Sequence, residues 1–209
     1  HIDLLKKYHS GVTYIPNGVD LDRFDTDLNR SNDILFLGRL APKKRVSDLI
    51  RAFAGVKDEF PDSNLAIVGT GPELDALVKL ASELDVSDRV SFEGRVSDEA
   101  VDRYYGTAGL FVLPSVWEGH PLTLLEAWAA GTPVIASSVE GIEEFVEHQE
   151  TGYLVPPKDP ERLTEALRHA LSNPAEARRW GHNGRSLVEK GYSWEGVAER
   201  THDLYEQIS

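Results

Sequence analysis

The apolar positions of the chain fall into short continuous runs separated by stretches with helical spacing. The runs lie at 12–15, 34–37, 65–68, 90–92, 110–113, 133–136 and 153–155. Several are apolar throughout rather than alternating, the pattern of strands covered on both faces. Between them, 46–60, 73–84, 98–105, 122–130, 142–147 and 160–171 place apolar residues three and four apart and predict helices. Strand and helix in such alternation predict an α/β fold built on a doubly wound parallel sheet. The punctuation agrees. Ser47 or the Arg45-Val46 junction opens the first helix, Pro72 takes a first-turn position after Gly71, and Asp98 caps the helix that follows it. Gly131-Thr132-Pro133 closes the 122–130 helix. Asn173-Pro174 starts a helical tail that runs to Lys190, and Gly191-Tyr192-Ser193-Trp194 precedes a last amphipathic helix at 195–208. Residues 1–30 thus divide off as a linker with a first strand, 31–190 as the sheet domain, and 191–209 as a C-terminal helix.

Composition narrows the function. The 209 residues include no run of 18 apolar positions and no charged-then-apolar start, so neither a membrane span nor a secretion signal is expected. The absence of cysteine excludes disulfides and thiolate metal sites and fits a reducing, cytoplasmic compartment. His1 opens helix-like sequence without an initiator Met, as in a piece of a longer protein. A net charge of −13 opposes nucleic acid and anionic membrane, because the long-range field repels phosphate. A phosphate ligand would therefore need a local basic pocket.

One such pocket is legible. In Gly38-Arg39-Leu40-Ala41-Pro42-Lys43-Lys44-Arg45, which links a strand to a helix, four cations fall within seven residues of an otherwise acidic chain. A helix N-terminus flanked by Arg and Lys suits a pyrophosphate. Val68-Gly69-Thr70-Gly71-Pro72 is a second such turn, whose glycines allow close backbone approach; it lacks the third glycine and the acidic ribose partner of a nicotinamide site. Glu118 and Glu126 lie on a turn and on the following helix, two acceptors suited to a hydroxyl-rich ligand. Backbone N–H groups at Gly119, His120, Leu122 and Thr123 can cradle phosphate or sugar oxygens, whereas Pro121 has none to give. His120 reads first as a surface or hydrogen-bonding residue and second as a general acid or base. Asp20-Leu21-Asp22 and Asp25-Thr26-Asp27 have the spacing of a divalent-metal pair, but sit in a linker where Asp favours turns. No zinc spacing and no G-x-S-x-G elbow occur.

In order along the chain, Ile15-Pro16-Asn17-Gly18-Val19-Asp20, Gly38-Arg39-Leu40 with Lys44, Val68 to Pro72, Phe92-Glu93-Gly94-Arg95-Val96, and Glu118 to Gly131 with Thr132-Pro133-Val134-Ile135 carry a resemblance. The chain resembles the C-terminal, nucleotide-sugar-binding half of the retaining GT-B glycosyltransferases of family 4, also known as group 1. The resemblance covers 11–208 and implies a Rossmann-like fold and transfer of a hexosyl group from a UDP-, GDP- or ADP-linked sugar, with no cofactor and no metal. It implies Arg39, Lys44 and Glu118 as the catalytic set. The donor contacts it implies are Gly38, Gly69, Gly71, Val96, Gly119, His120, Leu122, Thr123 and Glu126, with Glu118 toward the sugar, Glu126 toward the ribose and Val96 toward the base. The glycan, lipid or small-molecule acceptor is expected on an N-terminal domain absent from this chain, with the full-length protein cytoplasmic or membrane-associated and this part alone inactive. Arg45 stands where the family usually has Gly, and His120-Pro121 where Phe-Gly is common. A sugar-nucleotide epimerase of similar fold and a noncatalytic nucleotide-sugar module are the competing expectations.

Overall fold

The structure, a computed structural model, describes residues 12–26 and 28–208. The helix-like start at His1 and the Asp27 half of one acidic pair lie outside them. Among the described residues six parallel strands, β1 (Ile34–Leu37), β2 (Leu65–Val68), β3 (Val90–Gly94), β4 (Leu110–Leu113), β5 (Val134–Ser137) and β6 (Tyr153–Val155), form one sheet in the order β3-β2-β1-β4-β5-β6. The helices are α1 (Val46–Ala54), α2 (Leu74–Glu83), α3 (Asp98–Thr107), α4 (Leu122–Ala129), α5 (Glu140–Glu143), α6 (Pro160–Ser172), α7 (Pro174–Gly191) and α8 (Trp194–Ile208).

The continuous apolar strands are explained by burial on both faces. Ile34, Phe36, Leu110 and Val112 face a core shared with α1, α2 and α6, while Leu35, Phe111 and Leu113 face a second core under α3 and α4. Each fully buried side chain of this size contributes about 1.5–3 kcal/mol by leaving water. Arg30 closes one end of the second core: its guanidinium donates to the backbone oxygens of Tyr105, Ala108 and Ala130 and to Thr132 Oγ1. These include the final carbonyls of α3 and α4, which no further helical turn satisfies. Burial holds the Arg30 pKa below its usual value.

Three elements differ from expectation, and the cap of α3 is Ser97, whose Oγ accepts from Ala100 N at 3.3 Å, rather than Asp98. Residues 12–15 are irregular and join no ladder; the nearby pairing is an isolated bridge between Val19 and Ser193. An apolar run alone does not make a strand without a neighbouring edge, and this one borders a cavity instead. The helix expected at 46–60 stops at Ala54, with turns through 59. The helix expected at 142–147 is the four-residue α5, followed by turns that bury Phe145 and Val146.

In this strand order the chain runs outward from β1 to β2 and β3, then crosses back to β4, so the β1 and β4 loops flank the topological switch point. Ligands of open parallel sheets bind in that crevice.

Candidate functional site

The loops after β1, β2 and β3 are bonded to one another through their backbones. Gly38 N donates to Val68 O at 3.0 Å, Leu40 N to Thr70 O at 2.9 Å, and Gly69 N to Gly94 O at 2.8 Å. The fit leaves no room for side chains: a Cβ on Gly69 would lie 1.9 Å from Gly38 O, and one on Gly71 2.1 Å from Leu40 O. Gly69 also has φ +134, a conformation L side chains rarely adopt. The result is an open cavity of about 520 Å³ lined by Gly38, Arg39, Gly69, Thr70, Gly71, Gly94, Arg95 and Val96. Four of the expected donor contacts and Arg39 therefore share one wall. Arg95 and Thr70 join them without having been singled out in the sequence, although both flank residues that were.

Across the switch point, the basic loop meets the Glu118 turn. Val116 N donates to Lys43 O at 2.9 Å, and Lys44 Nζ pairs with Glu118 Oε1 at 2.5 Å, with side chains 14% and 9% exposed. The pair joins residues 74 apart in sequence. Lys43 lies over the exposed Trp117 ring at 4.7 Å. Behind the turn, Gly141 of α5 packs so closely that a Cβ would sit 2.1 Å from Glu118 O, so α5 is a fixed back wall. No spacing rule marks Gly141.

Arg45 has φ 52 and ψ 37, the left-handed region that favours glycine. Its guanidinium bonds both Asp48 oxygens at 2.7 Å. This conformation is thus held by a local ion pair at the start of α1, and this fourth cation is turned to Asp48.

α4 begins after Pro121 with no side-chain cap, which leaves the first-turn N–H groups of Leu122 and Thr123 uncapped. His120 is less of a surface residue than expected: it is half-buried. Its ring packs edge-on to Phe145 at 4.9 Å and beside Tyr192, with both nitrogens buried and without a partner. Burial lowers its pKa and favours the neutral ring. His120, Glu118 and Gly119 line a second cavity of about 440 Å³ with Tyr14, Trp117 and Glu144.

Glu126 has different partners from the Lys44–Glu118 pair. It accepts from Tyr105 Oη at 3.1 Å, near the Arg23–Asp102 pair, and burial raises its pKa. Asp20 takes a turn role, its Oδ1 accepting from Asp22 N at 3.1 Å.

Residues 19–187 match the family of glycosyl transferases group 1. The chain belongs to that family. Among relatives of this group 1 chain, an uncharacterized glycosyltransferase of Methanocaldococcus jannaschii is 35% identical over 93% of this chain and 53% of its own length. A GDP-mannose-dependent alpha-(1-6)-phosphatidylinositol monomannoside mannosyltransferase of Mycobacterium tuberculosis is 32% identical over 93% and 56%. The chain thus spans about half the length of the curated relatives it matches. Sucrose-phosphate synthase from Thermosynechococcus elongatus superposes with a TM-score of 0.84 at 33% identity, covering 99% of this chain and 55% of that one. The C-terminal domain of a group 1 family protein from Francisella tularensis superposes at 0.79 with 25% identity, covering 85% of this chain and all of that one. The doubly wound sheet is therefore the Rossmann-like fold of GT-B glycosyltransferases, as the sequence led us to expect.

Proposed function

We propose that this group 1 chain binds the nucleotide-sugar donor of a retaining hexosyl transfer whose acceptor site lies outside it. In this reading Arg39 and Lys44 meet the pyrophosphate and offset the charge that develops on the leaving group, a task that needs no metal. The N–H groups of Gly119, His120, Leu122 and Thr123 add donors at the start of α4, where the helix dipole also favours an anion. Glu118 accepts from sugar hydroxyls, Glu126 from the ribose, and the base lies along Gly38, Gly69, Gly71 and Val96. His120 contributes its backbone and not a proton, since its ring is held among Phe145 and Tyr192.

The observation that carries this reading is the Lys44–Glu118 pair at 2.5 Å, which puts a cation for phosphate and a carboxylate for hydroxyls side by side at the switch point. A crystallised relative, Anabaena HepE in complex with UDP, shares the fold with a TM-score of 0.85 at 21% identity. Transfer itself requires donor and acceptor held together, and that proximity supplies much of the rate. Titration calorimetry of UDP, GDP and ADP tests the reading. Arg39→Ala and Lys44→Ala should each weaken the bound nucleotide by roughly tenfold, the loss of one charge-assisted contact. EDTA should leave binding intact. Unchanged affinity in both variants would remove the phosphate assignment, and release of nucleoside diphosphate by the full-length protein, with and without acceptor, separates transfer from mere binding.

A further inference from the structure

The Lys44–Glu118 pair has a consequence for which ligand the site prefers, and the inference rests on the donor-binding reading above. Both side chains are largely buried, and at 2.5 Å each neutralises the other. A phosphate that draws Lys44 to itself takes away the partner of Glu118. The backbone that carries Glu118 is held in place, since Val116 N is bonded to Lys43 O and Gly141 packs against the Glu118 backbone oxygen, and the side chain is only 9% exposed, so little of it reaches water. Leaving a buried charge without its partner is costly. Sugar hydroxyls delivered by the same ligand would replace the lost ammonium with hydrogen-bond donors, whereas a nucleoside diphosphate ends at its phosphate and brings no hydroxyl beyond it to Glu118.

We propose that the Lys44–Glu118 pair is a specificity device that couples the phosphate and sugar subsites, so that the intact donor is preferred over the spent nucleoside diphosphate. In the resting site the pair is closed. The intact donor opens it and satisfies both halves, one with phosphate and one with hydroxyls. The spent diphosphate opens it and satisfies one half alone, so Glu118 drives the spent nucleotide out. Glu118 therefore acts on phosphate affinity through Lys44, at a distance from any phosphate contact of its own.

A double-mutant cycle reads this coupling. The affinities of UDP, GDP and ADP and of their glucose- and mannose-linked forms are measured by calorimetry for the wild-type chain, Glu118→Gln, Lys44→Met and the double variant, with thermal unfolding recorded for each. The double variant removes both charges together and keeps the cycle usable where a single variant is poorly folded. Glu118→Gln should tighten the preferred nucleoside diphosphate by about five- to tenfold, as expected for coupled neighbours, and lower the preference for its sugar-linked form. In the Lys44→Met background the same change should have no effect. A gain of equal size in both backgrounds would mean that Glu118 only repels phosphate through its field, and would overturn the coupling. So would no gain in either background. If the wild-type chain binds none of the three nucleotides, the donor-binding reading itself fails; if it binds and the cycle shows no coupling, only the device fails.

Discussion

At the scale of single residues, His120 and Arg45 each have a structural account. His120 is a ring among rings, with two buried nitrogens lacking partners. His120→Phe removes those unsatisfied groups and should stabilise the fold by about 1 kcal/mol, or roughly 2–4 °C in melting temperature. The sign of its pH dependence follows from burial. The folded pKa lies below the ordinary 6.5, so the unfolded chain takes up the proton first, and stability falls as pH drops through 6.5 toward the folded value. The Phe variant should lose this contribution, so the difference in melting temperature between the two proteins should widen from pH 7.5 to pH 5.5. An unchanging difference would place the histidine in water. Arg45 holds a left-handed backbone conformation that costs a non-glycine residue roughly 1–2 kcal/mol, partly offset by Asp48. Arg45→Gly relieves that strain but loses the ion pair and frees the unfolded chain, so stability should stay within about 1 kcal/mol of wild type. Arg45→Val should cost more than either, because a branched side chain tolerates positive φ poorly. Urea midpoints for the two variants decide it.

Among the elements, the decisive contacts are between loops rather than helices. Gly71 lies against the Leu40 carbonyl, so Gly71→Ala cannot be accommodated without separating the turns after β1 and β2. We expect a loss of at least about 2 kcal/mol and weaker nucleotide binding, checked by denaturation and calorimetry of the same preparation. Intact affinity would show that the wall of the 520 Å³ cavity is not a binding surface. These contacts also show why some elements were legible in the sequence and others were not. Strands β1, β2 and β4 could be read because burial on both faces makes every position apolar, a signal local to four residues. The Lys44–Glu118 meeting spans 74 residues, yet was approachable because a parallel sheet brings all its strand-to-helix turns to one end. The apolar run at 12–15 misled, since strand propensity says nothing about whether an edge is available. The short α5 escaped because its length is set by what Gly141 touches, and the inward ring of His120 because its partner Tyr192 lies 72 positions onward. Arg30 gave no signal either, because carbonyls are the same whatever the sequence.

For the whole molecule, the two C-terminal helices differ in what they hold. α7 carries Trp180 into the core and presents Gly184 to Trp128 so closely that a Cβ would meet the indole at 2.2 Å. α8 is tied to the start of the domain by the Val19–Ser193 bridge and by Trp194 against Gly18. Removing 192–209 should therefore leave a folded sheet with a lower melting temperature. Removing 174–209 would open both cores and abolish cooperative unfolding. Far-ultraviolet circular dichroism with thermal melts distinguishes the two, and a folded product of the longer deletion would show that α7 is an accessory. The acidic surface sets a further condition at this scale. With a net charge of −13, an anion meets repulsion until it is within a Debye length of the basic loop, about 8–10 Å at moderate salt.

The cavity wall formed by Gly38, Gly69 and Gly71 is made of backbone, and backbone is shared by every sequence. Substitution has nothing there to reshape except by breaking the wall. If the proposed donor site is right, relatives of this chain that come to prefer a different base must write that change at the side chains around the same opening, such as Thr70, Arg95, Val96 and Val101. The part of the pocket that looks most generic is the part that confines where novelty can arise.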